Sequence, residues 1–196
     1  MNEGRSAYFR FLCIKTLVLF IASMIVFFLK VINVDPAGYT INADFMDLLQ
    51  KEAALGYLQS GFIALTVFSV FESIIAWKID PEKSSKWIRI GVCVLFMVIG
   101  LSIFGINLRK SIIVKNNVPR VQKLELVESE IVTLKPSNIF RMRGNRKTDY
   151  IMEFSNGAMY KMERPSGNGK PVGPYYVVQC DDIVIGVYDT IFYEIK

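Results

Sequence analysis

Histidine is missing altogether from the 196 residues. Its absence removes the commonest general base and the commonest metal ligand together. Cysteine is scarce: there are three, Cys13, Cys93 and Cys180. The first two sit in apolar runs and the third in an expected strand, so neither a disulfide framework nor a C-x-x-C metal pair is expected. No G-x-Ser-x-G elbow or triad can be assembled. No N-x-Ser/Thr sequon occurs either. No catalytic residue, metal site or cofactor is therefore expected, and the chain is read as non-enzymatic. The remaining scarcity is local. Charge is almost absent from three long stretches in the first half.

Those stretches carry the fold class. The chain is 52% apolar with a mean hydropathy of +0.34, high for a water-soluble protein. Residues 1–108 hold 9 Lys/Arg and 8 Asp/Glu, and residues 109–196 hold 14 and 10, an ordinary soluble composition. The apolar runs are 11–34, 55–77 and 90–108. A helix needs about 20 apolar residues to cross a bilayer core, and each run reaches that length. The second run contains eleven Ile, Leu, Val or Phe residues. Each favours insertion by roughly 0.3–0.6 kcal/mol, about 5 kcal/mol together, against about 2.5–3.5 kcal/mol for one central charge. Three helices with so little polar face do not read as core helices of a globular protein. The first run is not followed by a small-x-small cleavage site, so it reads as a retained helix.

The connections support a multi-pass layout. Asn42 is placed to cap a short interfacial helix over about 43–53, with Asp44 and Asp47 in its first turns. The second connection is tight and centred on Asp80-Pro81. Trp77 and Trp87 flank it as interface anchors, making segments two and three an antiparallel hairpin. Lysines and arginines near the membrane balance at seven on either side. The first helix and the acidic first loop then favour an N-terminus inside and an extracytoplasmic C-terminal domain. The absence of sequons fits a bacterial cytoplasmic membrane. A net charge of +5 on such a chain reflects topology and headgroup contact rather than nucleic acid.

Glu72 is the charge that its surroundings make expensive. It lies five residues before Trp77, about 7 Å inside the interface at ~1.5 Å per residue. Lys15 reaches a similar depth in segment one, and adjacent helices run antiparallel. A Glu72–Lys15 pair is expected, with Arg10 and Arg89 as alternate partners. Such a pair is either structural or part of an ion pathway. Lys30, Gln59, Ser60 and Asn107 mark the opposite side, suited to snorkelling or interhelical hydrogen bonds. Gly91, Gly100 and Gly105 are expected to admit close neighbours to segment three.

Residues 109–196 read as an all-β domain, a small antiparallel barrel or sandwich. Leu124–Leu134 alternates apolar and charged residues. Tyr150–Phe154 and Ala158–Met162 flank Ser155-Asn156-Gly157, a strong hairpin signal. Tyr175–Cys180 and Ile183–Val187 flank an Asp181-Asp182 turn. Ile191, Tyr193 and Ile195 alternate at the end. Arg141, Arg143, Arg146 and Lys147 form a basic stretch suited to anionic headgroups or an acidic partner. The glycine-rich loop 165–173 departs from a phosphate-binding loop because Pro171 follows Gly169-Lys170.

Two functional readings follow. The helices anchor the chain and the β domain binds a partner protein, as an accessory subunit, a sensor or an immunity-type protector. Alternatively the chain is a homo-oligomeric channel or transporter component using Glu72, since three helices are too few to enclose a pathway alone. Membrane lipid is a partner in both.

Overall fold

The computed structural model describes residues 3–30, 39–78, 86–133, 148–163 and 173–196. The chain divides into two units, Met1–Val34 with Lys51–Asn116, and Asp35–Gln50 with Asn117–Lys196.

The first unit is helical. Helix α1 spans Glu3–Leu29, α2 spans Ala43–Lys78 and α3 spans Lys86–Asn116. All three are long and apolar enough to cross a membrane. Only 17%, 17% and 11% of their most apolar windows is buried, so these side chains do not form a protein core. Phe11, Leu17, Phe28, Leu95 and Val98 stand exposed. The stretches 43–53 and 55–77, read separately in the sequence, are one continuous helix of 36 residues. No proline or glycine pair interrupts them, so nothing breaks the backbone ladder between them. Helix α3 likewise carries past Leu108 to Asn116, because Arg109, Lys110 and Lys115 are as helix-compatible as the apolar residues before them.

Helices α2 and α3 pair as an antiparallel hairpin. Phe62 meets Phe104 at 5.3 Å between ring centroids, and Phe68 and Phe71 meet Phe96 at 6.1 and 6.2 Å. Near the other end, Ser111 Oγ donates to the Ala54 carbonyl at 2.8 Å. The close approaches are at Gly61 and Gly100. A Cβ on Gly61 would meet Phe104 at 3.0 Å, and one on Gly100 would meet Phe68 at 3.3 Å. Gly91 and Gly105 have nothing within 4 Å, so the expected close approach holds at one of three glycines in α3. Sequence periodicity did not single out Gly61, which lies on the facing helix.

The second unit is built from strands. Strand β1 is Thr40–Ile41, and β2 to β8 are Arg120–Leu124, Leu126–Thr133, Thr148–Phe154, Met159–Glu163, Tyr175–Cys180, Ile183–Asp189 and Glu194–Ile195. They form antiparallel sheets of order β2-β6-β7 and β3-β4-β5, plus a parallel pair β1-β8. A barrel, one of the two expected forms, is not built. Among the described residues each three-stranded sheet ends in strands paired on one side only, and closure would require pairing between the sheets. The expected single strand Leu124–Leu134 breaks at Glu125. Its halves join different sheets, β2 pairing with β6 and β3 with β4. The freed Glu125 carbonyl accepts from Ser155 N at 3.0 Å.

The turns follow local chemistry. Gly157 has φ +79°, and Asn156 Oδ1 accepts from Ala158 N at 3.0 Å. Asp181 takes φ 57° between β6 and β7, as Asp tolerates better than most residues. Met152, Phe154, Tyr175, Val177 and Val187 form a buried core supplied by both three-stranded sheets. Asn42 Oδ1 caps α2 by accepting from Phe45 N at 2.8 Å. The first turns of α2 then dock on β7: Phe45 packs edge-on to Tyr188 at 5.5 Å, and a Cβ on Gly186 would lie 2.9 Å from Leu49.

Candidate functional site

The side chains with the most demanding environment lie between α1 and α2. Lys15 Nζ donates to Glu72 Oε2 as an ion pair, with side-chain exposures of 30% and 8%. Beside it, Thr16 Oγ1 donates to the Leu12 carbonyl at 2.9 Å. Thr16 Oγ1 also lies 2.7 Å from Ser69 Oγ. A hydroxyl has one proton, so Ser69 is the donor in that second bond. Ser69 and Glu72 are three residues apart on α2 and share a face, and Lys15 and Thr16 are adjacent on α1. Two α1 residues therefore satisfy two α2 residues at one level.

The chemistry of the cluster is compensation. Removing an ion from water costs several kcal/mol in practice, and a close opposite charge offsets part of that. A cavity of about 190 Å³ adjoins the pair, lined on α2 and α3 by Leu65, Phe68, Phe96, Met97, Gly100 and Leu101. Its walls are apolar except at the Lys15, Ser69 and Glu72 end. Among the described residues, no group of three Cys, Asp or Glu side chains able to hold a metal accompanies it.

Other sequence candidates are placed as follows. Trp87 is 78% exposed on the first turn of α3. Trp77 lies in α2, and its side chain is outside the described residues, as is that of Arg89. Arg141, Arg143, Arg146 and Lys147 lie wholly outside them. Arg10 is exposed rather than paired with Glu72. At the opposite end, Lys30 Nζ lies 3.6 Å from the position a Cβ on Gly56 would take. Ser60 and Asn107 bond the carbonyls of Gly56 and Ile103 on their own helices, at 2.9 Å each. The expected interhelical bonds come instead from Thr16, Ser69 and Ser111. Sequence reasoning also passed over Glu52, buried at 6% exposure. The signal for Ser69 was its spacing of three from Glu72.

Cys180 is fully buried, and burial pushes its thiol pKa up. It cannot report by labelling which side of a membrane the β unit occupies. Burial likewise raises the Tyr160 phenol.

No protein-family model, curated protein or solved structure matches this chain.

Proposed function

We propose that this chain is a non-enzymatic integral membrane protein whose β unit binds a partner, its three helices serving as the anchor. The observation that carries this reading is the pairing of Glu72 with Lys15 inside one chain. A carboxylate that fills its contact with a neighbouring helix supports an anchoring role better than a pathway role, since an ion-conducting group must face the route it serves. The β unit, by contrast, exposes large apolar side chains. Ile191 is 78% and Phe192 64% exposed on the β7–β8 connection, and Tyr39 is 62% exposed. Contiguous exposed apolar residues of this kind mark interaction surfaces. Within the proposal, the membrane is a bacterial cytoplasmic membrane and the β unit is extracytoplasmic. The absence of sequons and the acidic first loop support that placement.

The test places a photoreactive residue at Phe192 or at Leu95, each exposed in its own unit, in the full chain in its native membrane. A partner chain captured from Phe192 and not from Leu95 supports the reading. Adducts only between copies, formed through Leu95, would replace it with the homo-oligomeric channel or transporter component. In that case ion flux into vesicles would fall on Glu72→Gln.

A further inference from the structure

The two ends of the helical unit handle charge differently. At one end Lys15 is neutralised by Glu72. At the other, the end of α1, residues 51–60 of α2 and residues 105–112 of α3 carry Lys30, Lys51, Arg109 and Lys110 against a single carboxylate, Glu52. That carboxylate is buried, at 6% exposure. Lys51, Arg109 and Lys110 are exposed, and Lys30 is half-buried.

Helix geometry puts Lys30, Arg109 and Lys110 near one level. An apolar span of about 20 residues crosses a bilayer core. Counting that span from Arg10 along α1 reaches Lys30. Counting back from Trp77 along α2 reaches Tyr57. Counting from Trp87 along α3 reaches Asn107, one turn short of Arg109 and Lys110. The contacts agree with the counting. Lys30 Nζ lies 3.6 Å from the Cβ position of Gly56, and Lys110 Nζ lies 5.6 Å from the Tyr57 ring centroid. The Lys30 ammonium thus lies against the Gly56 position of α2. The Tyr57 face holds the Lys110 ammonium by its quadrupole without neutralising it. Tyrosine is itself a residue of the headgroup level.

We infer that Lys30, Tyr57, Arg109 and Lys110 form a collar that recruits anionic phospholipids in the leaflet at this end of the helices. This rests on the helices crossing a bilayer, the anchoring part of the proposed function, and is independent of what the β unit binds. The attraction is that of fixed cations for headgroup phosphate and is screened by salt.

The experiment uses the full chain in vesicles of phosphatidylcholine containing a minority of phosphatidylglycerol. The protein is extracted in mild detergent and the co-purifying lipids are counted by mass spectrometry. Several-fold enrichment of phosphatidylglycerol over the bulk ratio is expected, falling as ionic strength is raised before extraction. The Lys30→Gln/Arg109→Gln/Lys110→Gln variant is expected to return the ratio to near bulk, while Lys110→Arg keeps the enrichment. Lys78→Gln, at the far end of α2, removes one charge elsewhere and is expected to change little. Co-purification at the bulk ratio, enrichment insensitive to salt, or an equal loss in Lys78→Gln would overturn the collar. Loss of enrichment when inorganic phosphate replaces chloride at matched ionic strength would identify a site for free phosphate instead, and would overturn the lipid assignment. Failure of the chain to partition into vesicles at all would instead remove the anchoring reading.

Discussion

The helical unit and the β unit sort their side chains in opposite directions. Among the described residues, all five buried polar or charged ones, Ser23, Glu52, Ser69, Glu72 and Ser111, belong to the helical unit. Twelve of the sixteen described residues that are buried and apolar belong to the β unit, Ile41, Phe154 and Val177 among them. The helices turn Phe, Leu, Ile and Val outward and draw hydroxyls and carboxylates inward. The sheets do the reverse. In water the hydrophobic effect forces the second arrangement. In hydrocarbon there is no such force between helices, and hydrogen bonds and close packing at small residues hold them instead. The inversion within one chain is what two solvents facing its two parts would produce.

This contrast can be broken most severely in the β core. Phe154 is 1% exposed, among residues of both three-stranded sheets. Phe154→Ala is expected to destabilise the β unit by about 3–5 kcal/mol through lost burial and a residual cavity. Chemical unfolding followed by tyrosine fluorescence should show the loss while the far-ultraviolet helical signal persists. An equal loss of helix would mean that the two units unfold as one.

The matching lesion in the helices is polar. Lys15→Met leaves Glu72 buried without its cation and is expected to cost about 3 kcal/mol, somewhat less for the 30% exposure of Lys15. Adding Glu72→Leu should restore most of the loss, because an apolar pair of similar volume carries no desolvation cost. Thermal unfolding of both variants in lipid discs checks this. A double variant no better than the single one would mean that the pair contributes more than mutual neutralisation.

A smaller effect sharpens the seam within the β unit. A Cβ at Gly186 would lie 2.8 Å from Tyr188 and 2.9 Å from Leu49. Gly186→Val is expected to cost roughly 1–3 kcal/mol by overpacking, and pairing it with Leu49→Ala should recover part of it.

The smallest effect is alkaline. The buried Cys180 thiol and the Tyr160 phenol both have raised pKa values. A raised folded value favours the neutral form, so its stabilisation is complete below the ordinary values of 9.0 and 10.0. It is lost as pH climbs through the higher folded values. The midpoint for unfolding the β unit should fall above pH 9.0, and Cys180→Val should remove the thiol part of the slope.

Much of this architecture was legible from local chemistry. Charge-free length marked the helices, Asn156-Gly157 marked the β4–β5 hairpin, and Asp181-Asp182 marked the turn between β6 and β7. The pairing of Lys15 with Glu72 followed from matching depths in antiparallel helices. Other features depended on partners distant in sequence. Glu125 carries no turn signature of its own, and the strand breaks there because its halves pair with β6 and β4. Thr40–Ile41 is too short to announce a strand, and it exists because the chain's last residues lie beside it.

The amino-acid sequence by itself determined which stretches suit lipid and which suit water, because transfer free energy sums residue by residue along the chain. It also determined the hairpin turns, whose backbone angles depend on one or two residues. Tertiary structure alone decided that the strands form separate sheets rather than a barrel, that Ser69 hydrogen-bonds Thr16 beside the ion pair, and that Gly61 and Gly100 rather than Gly91 and Gly105 take the close contacts. Each of those outcomes depends on distances between residues far apart in the chain, which no local pattern encodes.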